Sequence, residues 1–415
     1  MNRCNYLTQL SKMMNLINMR VALYFCGVFL FLSCKRELEN KLFYQTENAA
    51  TYKELLLLTE EKETIFPGDT NMWLETSIIQ PFQEDGKDYI AIFNQFGLKL
   101  NIYDYDLKKR VKEIYFEREG PHGVGSKTDH LGCFVIHSDT IIIYNYWERK
   151  IKVLNSQSQV FSKRDLPESS SVYFNTIVRH SPPVEAKGSV YFPNLNHGSL
   201  KGSLIPSGQM PAFMRFDYRS GNFSFFQQRS EVYDIGYNLA GDNGYVFATY
   251  NPDKQKIVYS FRQDHFLYAS SLDGKLEKHF VGSKYFKQLD PFSYSFEDGY
   301  EKEGAGSDPA MRLYILTSPK YDRILYDEWN KLYYRFAFLP RTREEYEAGN
   351  FDFKQSIIII DTNFQKAGEW MIPSSYSTSS AFVTKDGLLM PKTSENEDQL
   401  VFAVLKPVRN EKLEH

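Results

Sequence analysis

Between about residue 64 and residue 406 the chain is a succession of short apolar and aromatic runs broken by turn signals, and almost none keeps helical spacing for three turns. That patterning confines the fold to the all-β class. Aromatic residues make up 16% of the chain, with 29 Tyr and 32 Phe, the enrichment that pleated, half-buried surfaces favour.

The runs group into units. Tyr89 to Phe93, Leu98 to Tyr103 and Val111 to Phe116 form a meander joined by Asn94-Gln95-Phe96-Gly97 and Asp104 to Lys108. Cys133 to His137, Thr140 to Tyr144, Lys150 to Leu154 and Gln159 to Lys163 follow, with Ser138-Asp139 and Asn155-Ser156-Gln157 as tight links. A third unit holds Ser189 to Phe192 and Ala212 to Phe226. A fourth holds Gly244 to Tyr250, Lys256 to Phe261, Phe266 to Ser270 and Leu276 to Val281, closed by the Asp273-Gly274 signal. The fifth is Leu313 to Leu316, Ile324 to Asp327, Leu332 to Phe338 and Ser356 to Asp361; the sixth, shorter, is Phe382 to Pro391 with Leu400 to Leu405.

Four-stranded meanders repeating every ~40 to 60 residues are the signature of a β-propeller, whose blades bury both faces against their neighbours. The expected architecture is a single six-bladed propeller, with seven blades as the alternative and an open pair of sandwiches as the structural competitor. Surplus length goes to loops at 194–209, 286–309 and 340–350. Residues 64–82 are expected to supply an N-terminal strand that completes the blade of residues 380–406, closing the ring and removing its exposed edges.

Ahead of the propeller, Met19 to Cys34 reads as a lipoprotein signal peptide. Arg20 is the positive start, Val21 to Leu32 is an apolar run of 12 residues, and Phe31-Leu32-Ser33-Cys34 ends it with a small residue before cysteine. The run is too short for a membrane span, which needs ~20 residues. The expected division is therefore 1–33 signal, 34–63 tether, 64–406 propeller and 407–415 tail. Cys34 is the lipid attachment point, and multiple acyl chains on one residue give stable anchoring. The expected location is the cell envelope, at the outer membrane on its periplasmic or surface face, with the membrane as a partner through Cys34.

Of the four cysteines, Cys4 and Cys26 leave with the signal and Cys34 is lipidated, so Cys133 is left as a small buried hydrophobe, without a disulfide framework. Loss of Arg3, Lys12 and Arg20 with the leader takes the formal charge from −3 to −6. The balance is mildly acidic and no basic cluster tracks a phosphate backbone, so nucleic acid is not an expected partner.

Chemistry is sparse. The eight histidines show none of the close spacings of zinc hydrolases, and no nucleophile elbow occurs. Glu119 to Gly125 is glycine-dense, but it leads to another β unit rather than to a helix with Lys-Ser/Thr, so it reads as a blade-to-blade connection with His122 exposed in it. The acids at Asp104, Asp106, Asp139, Asp253, Asp273, Glu297, Asp298 and Asp308 sit at turns. No catalytic residue, metal ligand or cofactor is nominated.

One constellation stands out: Tyr321 to Arg335, a hairpin turning at Asp327 to Lys331. Alternation puts Tyr333, Arg335 and Ala337 on one face and Leu332, Tyr334, Phe336 and Phe338 on the other. Buried Arg335 calls for a carboxylate such as Asp322 or Asp327. Two roles are open for Tyr326, Asp327, Tyr334 and Arg335: a structural ion pair between blades, or a surface at the channel mouth for an acidic or sugar-like ligand.

With the signal, the Gly-Pro-x-Gly-Val-Gly junction at 120–125 and this hairpin, the chain resembles a Bacteroidetes-type lipoprotein family, domain-of-unknown-function family 4221, related to six-bladed propeller lipoproteins. The resemblance implies a propeller and an envelope address over about residues 34–406; it brings no activity. The expected function is a membrane-anchored module that binds a ligand or an envelope protein. The alternative is a propeller enzyme acting on glycans or lactones with residues from several blades at the axis, and a third reading is a structural subunit of an envelope complex.

Overall fold

The computed structural model describes residues 54–68, 77–126, 131–145, 148–166, 181–194, 210–234, 245–289, 309–349, 353–394, 396 and 398–411. Its strands form six antiparallel four-stranded sheets, the blades of a six-bladed β-propeller. Strand β1 (Leu56–Pro67) is held over to the last blade. Blade one is β2 (Ile78–Glu84), β3 (Lys87–Asn94), β4 (Lys99–Asp104) and β5 (Lys109–Tyr115). Blade two is β6 (Leu131–His137), β7 (Thr140–Asn145), β8 (Lys150–Leu154) and β9 (Val160–Asp165). Blade three is β10 (Val184–Ala186), β11 (Ser189–Pro193), β12 (Pro211–Asp217) and β13 (Asn222–Gln228). Blade four is β14 (Val246–Asn251), β15 (Lys256–Phe261), β16 (Phe266–Ser271) and β17 (Leu276–Phe280). Blade five is β18 (Lys320–Asp327), β19 (Leu332–Phe338), β20 (Gln355–Asp361) and β21 (Lys366–Ile372). Blade six runs β22 (Phe382–Thr384), β23 (Gly387–Lys392), β24 (Gln399–Arg409) and then β1, which returns from the other end of the chain.

The isoleucine runs show why these sequences make blades. In β7, Ile141 and Ile143 pack with Ile78, Phe93 and Leu131 toward blade one, while Ile142 and Tyr144 pack with Phe192 and Met214 toward blade three. In β20, Ile357 and Ile359 face blade six, and Ile358 and Ile360 face blade four. Successive side chains of a strand point to opposite faces, so a strand buried on both faces reads as a continuous apolar run. Cys133 lies in the interface of blades one and two, and burial pushes its thiol pKa up, away from thiolate chemistry.

Asp and Asn at strand ends bend the chain by accepting from backbone N–H groups two and three residues on. Asp104 does so from Asp106 and Leu107, Asp217 from Arg219 and Ser220, and Asp327 from Trp329 and Asn330. The Asp85-Gly86 hairpin has φ of 51° and 72°, the left-handed pair that suits the twist of two joined strands.

Four expectations change. Leu313 to Leu316 lies in helix α1 (Pro309–Thr317), not in a strand, because β21 supplies the fourth strand of blade five. Pro309 suits the first helical position, and Ala310, Met311 and Leu313 are strong helix formers. The closing strand is Leu56 to Pro67, so its first eight residues come from the stretch assigned to the tether. Its Lys and Glu residues suit an outer edge open to water, where charge discourages stray pairing. Residues 78–84 instead open blade one. Strand β24 continues to Arg409, into the expected tail, because Lys406 to Arg409 pair with Leu56 to Thr59. The loop at 340–350 carries the short helix α2 (Arg343–Glu347), capped by Thr342 and Glu345. Most of the loops at 194–209 and 286–309, Cys34, and Glu297, Asp298 and Asp308 fall outside the described residues. No helix of the described residues is long and apolar enough to cross a membrane.

Candidate functional site: the mouth of the central channel

The first strand of each blade is innermost, so β2, β6, β10, β14, β18 and β22 surround the axis. Between them lies a cavity of about 810 Å³ that touches all six blades. A second space of about 410 Å³ continues it at the end where the first and second strands of each blade are joined. Both are lined by Phe82, Glu185, Tyr250, Tyr326 and Val383, so they form one channel and its mouth.

Polar side chains hold the inner strands together across the blade boundaries. The Gln80 amide donates to the Val135 carbonyl at 2.7 Å and accepts from the Val135 N–H at 2.8 Å, substituting for a missing strand partner. Thr249 accepts from the Tyr326 N–H at 3.1 Å. Arg323 donates to the carbonyls of Ala381 and Ser379 from a bulge in β18, where the ladder shifts between Tyr321 and Ile324. Such a bulge re-aims side chains, here Arg323 toward blade six and Asp322 toward Arg262 at 3.4 Å. These bonds fix the width of the channel.

The mouth itself is aromatic and acidic. Phe82 and Tyr89 stack with centroids 5.3 Å apart, and Tyr105, Tyr250, Tyr326 and Trp329 complete the wall. Tyr105 donates to Asp386 at 2.9 Å and accepts from Thr384 at 3.0 Å, tying blade one to blade six. Tyr326 donates to Asp253 at 2.7 Å, and Asp253 also holds Lys331 at 2.5 Å, which with the tyrosine keeps its carboxyl pKa below the usual range. Asp88, Glu185 and Glu328 are the charged residues lining the mouth. Asp88 meets Lys385 at 3.3 Å, and Glu185 accepts from the Gly188 N–H at 2.8 Å. Burial, joined by the negative charges nearby and opposed by Lys331, pushes the Glu328 pKa up.

Of the four residues singled out in the hairpin, Tyr326 alone lines the channel and its mouth. Asp327 caps its own turn and accepts from the Tyr334 hydroxyl at 3.0 Å, and both are fully buried. Arg335 is also fully buried, and neither Asp322 nor Asp327 pairs with it. Its guanidinium instead donates to the backbone carbonyls of His265 at 2.8 Å, Val281 at 2.7 Å and Asp264, and to Ser260 Oγ at 3.0 Å. It stacks 3.4 Å from the centre of the Tyr321 ring. Carbonyl dipoles from blade four and a ring face offset the buried charge, with the buried carboxylates of Asp264 and Glu369 adding attraction without a direct ion pair. The alternation along β19 is as expected, with Tyr333 and Ala337 toward blade four and Leu332, Tyr334 and Phe336 toward blade six. His122 accepts from the Val160 N–H at 3.1 Å, a loop contact away from the channel. Among the described residues no group of three or more His, Cys, Asp or Glu side chains is placed to hold a metal ion.

Sequence reasoning passed over Phe82, Asp88, Tyr89, Glu185, Tyr250 and Glu328 as site residues. They come from four blades, and their shared feature is position: each flanks or sits in the first hairpin of its unit, which points to the same mouth.

The family model described as "Domain of unknown function (DUF4221)" matches residues 55–370. The chain belongs to the DUF4221 family. A solved DUF4221 member from Bacteroides vulgatus superposes with a TM-score of 0.68 at 19% identity, covering 86% of this chain and 100% of its own. The likeness extends the propeller fold across the DUF4221 pair. A putative exported protein from Bacteroides fragilis gives a TM-score of 0.49 at 11% identity over 89% of this chain and 98% of its own. Virginiamycin B lyase from Staphylococcus aureus gives 0.40 at 12% identity, over 83% and 99%. No curated protein matches the chain.

Proposed function

We propose that this DUF4221 propeller is an envelope lipoprotein, anchored through Cys34, that binds a ligand or partner at the mouth of its central channel. The observation that carries the binding role is the aromatic mouth: six rings from blades one, four and five around a space of about 410 Å³ that opens into the channel. Pockets that combine apolar walls with a few converging polar groups are where ligands bind. The address is supported by the apolar run from Val21 to Leu32 ending at Ser33-Cys34.

Two measurements test the reading. Labelled palmitate should enter the wild type and not Cys34→Ala; an unlabelled wild type refutes the anchor. In a binding screen of oligosaccharides, peptides and small organic ions, hits should be lost in Tyr326→Ala, which lowers the thermal midpoint because the ring is buried but keeps the circular dichroism of the folded propeller. Hits that ignore Tyr326→Ala place the binding surface elsewhere.

A further inference from the structure

Glu328 is a carboxylate that the fold leaves unused. It sits in the first hairpin of blade five, half-buried in the wall of the mouth, and no hydrogen bond or ion pair reaches it among the described residues. Lys331 attracts it from the same turn, but that ammonium is bonded to Asp253. The other charges that act on it are negative: Asp88 from blade one, Asp253 from blade four and Asp327 from its own turn. The lining holds Asp88, Glu185 and Glu328 and, among the described residues, neither Lys nor Arg.

A half-buried carboxylate without a counter-charge is costly to keep ionised. The rings around it present faces of negative potential, which attract cations and add to the field of the acids. Lys385 and Lys331 are held by Asp88 and Asp253, so the lining offers an anion no cationic partner and sets Glu185 and Glu328 against it. A neutral sugar would stack on the rings and donate a hydroxyl to Glu328, but it would leave the charge of the carboxylate unbalanced. A compact organic cation satisfies both the rings and the carboxylate.

We infer that the mouth takes the alkylammonium head of an organic cation, with Glu328 as its counter-charge and Tyr89, Tyr250, Tyr326 and Trp329 as its walls. This inference rests on the mouth being the binding site, and it names the class of ligand. Because burial raises the Glu328 pKa, affinity should fall on acidification from above the usual carboxylate range, and bound cation should hold Glu328 ionised.

The test is calorimetric titration of the full protein, solubilised in detergent, with choline and with its neutral isostere 3,3-dimethylbutan-1-ol. Choline should bind saturably, at least about tenfold more tightly than the alcohol, and Glu328→Gln should erase that preference. Trp329→Ala, a change at an exposed ring, should weaken choline while leaving the circular dichroism unchanged. Equal binding of choline and the alcohol, or undiminished choline binding by Glu328→Gln, overturns the inference, as does a wild type that binds neither. In each case the broader screen with Tyr326→Ala still decides separately whether the mouth is a binding site.

Discussion

Replacing Arg335 by methionine probes how the ring holds a buried charge. Methionine fills similar space without donors, so the carbonyls of His265, Val281 and Asp264 and the Ser260 hydroxyl all lose the guanidinium, the His265 carbonyl keeping only the Val281 N–H and Ser260 its bond to the Phe261 carbonyl. Hydrogen bonds from a charged donor contribute ~1.5 kcal/mol or more each, which for four such bonds comes to about 6 kcal/mol. The lost stack on Tyr321 adds ~2 kcal/mol. Against this, methionine needs no desolvation of a guanidinium, a relief of several kcal/mol that is large here because burial already lowers the Arg335 pKa to about 10. The balance is a destabilisation of about 3 kcal/mol. Urea unfolding followed by tryptophan fluorescence measures it as a lower midpoint at unchanged slope. Arg335→Lys keeps the charge but loses the planar fork and the stack, and should fall between methionine and wild type. Methionine within about 0.5 kcal/mol of wild type would refute the reasoning, since the four acceptors would then be satisfied without arginine. Ligand binding at the mouth should survive both changes, because Arg335 does not line it.

Two further outcomes follow from the geometry. Burial lowers the Lys366 pKa to about 8, while its ammonium donates to the Gly282 carbonyl at 2.7 Å. The unfolded chain therefore holds this proton more tightly than the folded one, so stability relative to Lys366→Met should rise from about pH 8 to pH 10 in chemical unfolding; a flat difference would contradict the burial argument. Gln80→Leu removes both bonds to Val135 and should cost about 2 kcal/mol, with faster hydrogen exchange at the Val135 amide as the local readout; unaltered exchange would mean that the clamp is not made.

What was legible in the sequence was what repeats locally. Blade two could be placed almost residue for residue because its hairpins are short and its strands, such as Thr140 to Asn145, are apolar on both faces. Blade three hid β10, since three residues carry no period, and blade five hid β21, whose Gly368 and Glu369 break the apolar run. The first eight residues of β1 read as tether because Glu60 to Glu63 looks solvated, which is true of an outer edge strand as well. The site was harder. Tyr326 was found through a conspicuous hairpin, but the same hairpin drew attention to Arg335, which faces blade four. Alternation identifies the two faces of a strand, and in a propeller both are interior; the channel meets the strand edge and the turn beyond it. Glu328 and Trp329 lie in that turn.

The strand that closes the ring is also the first of the described strands. Its ladder runs from Leu56 opposite Arg409 to Pro67 opposite Gln399, and the Leu56 carbonyl lies against Gly368 so closely that a side chain there would collide with it. Any pull transmitted through the residues ahead of Leu56 would thus load the clasp before any other blade, peeling it pair by pair from the Arg409 end. Phe382, Val383 and Thr384 belong to the same sheet and border the channel. Load on this strand and the shape of the mouth are therefore joined through one sheet.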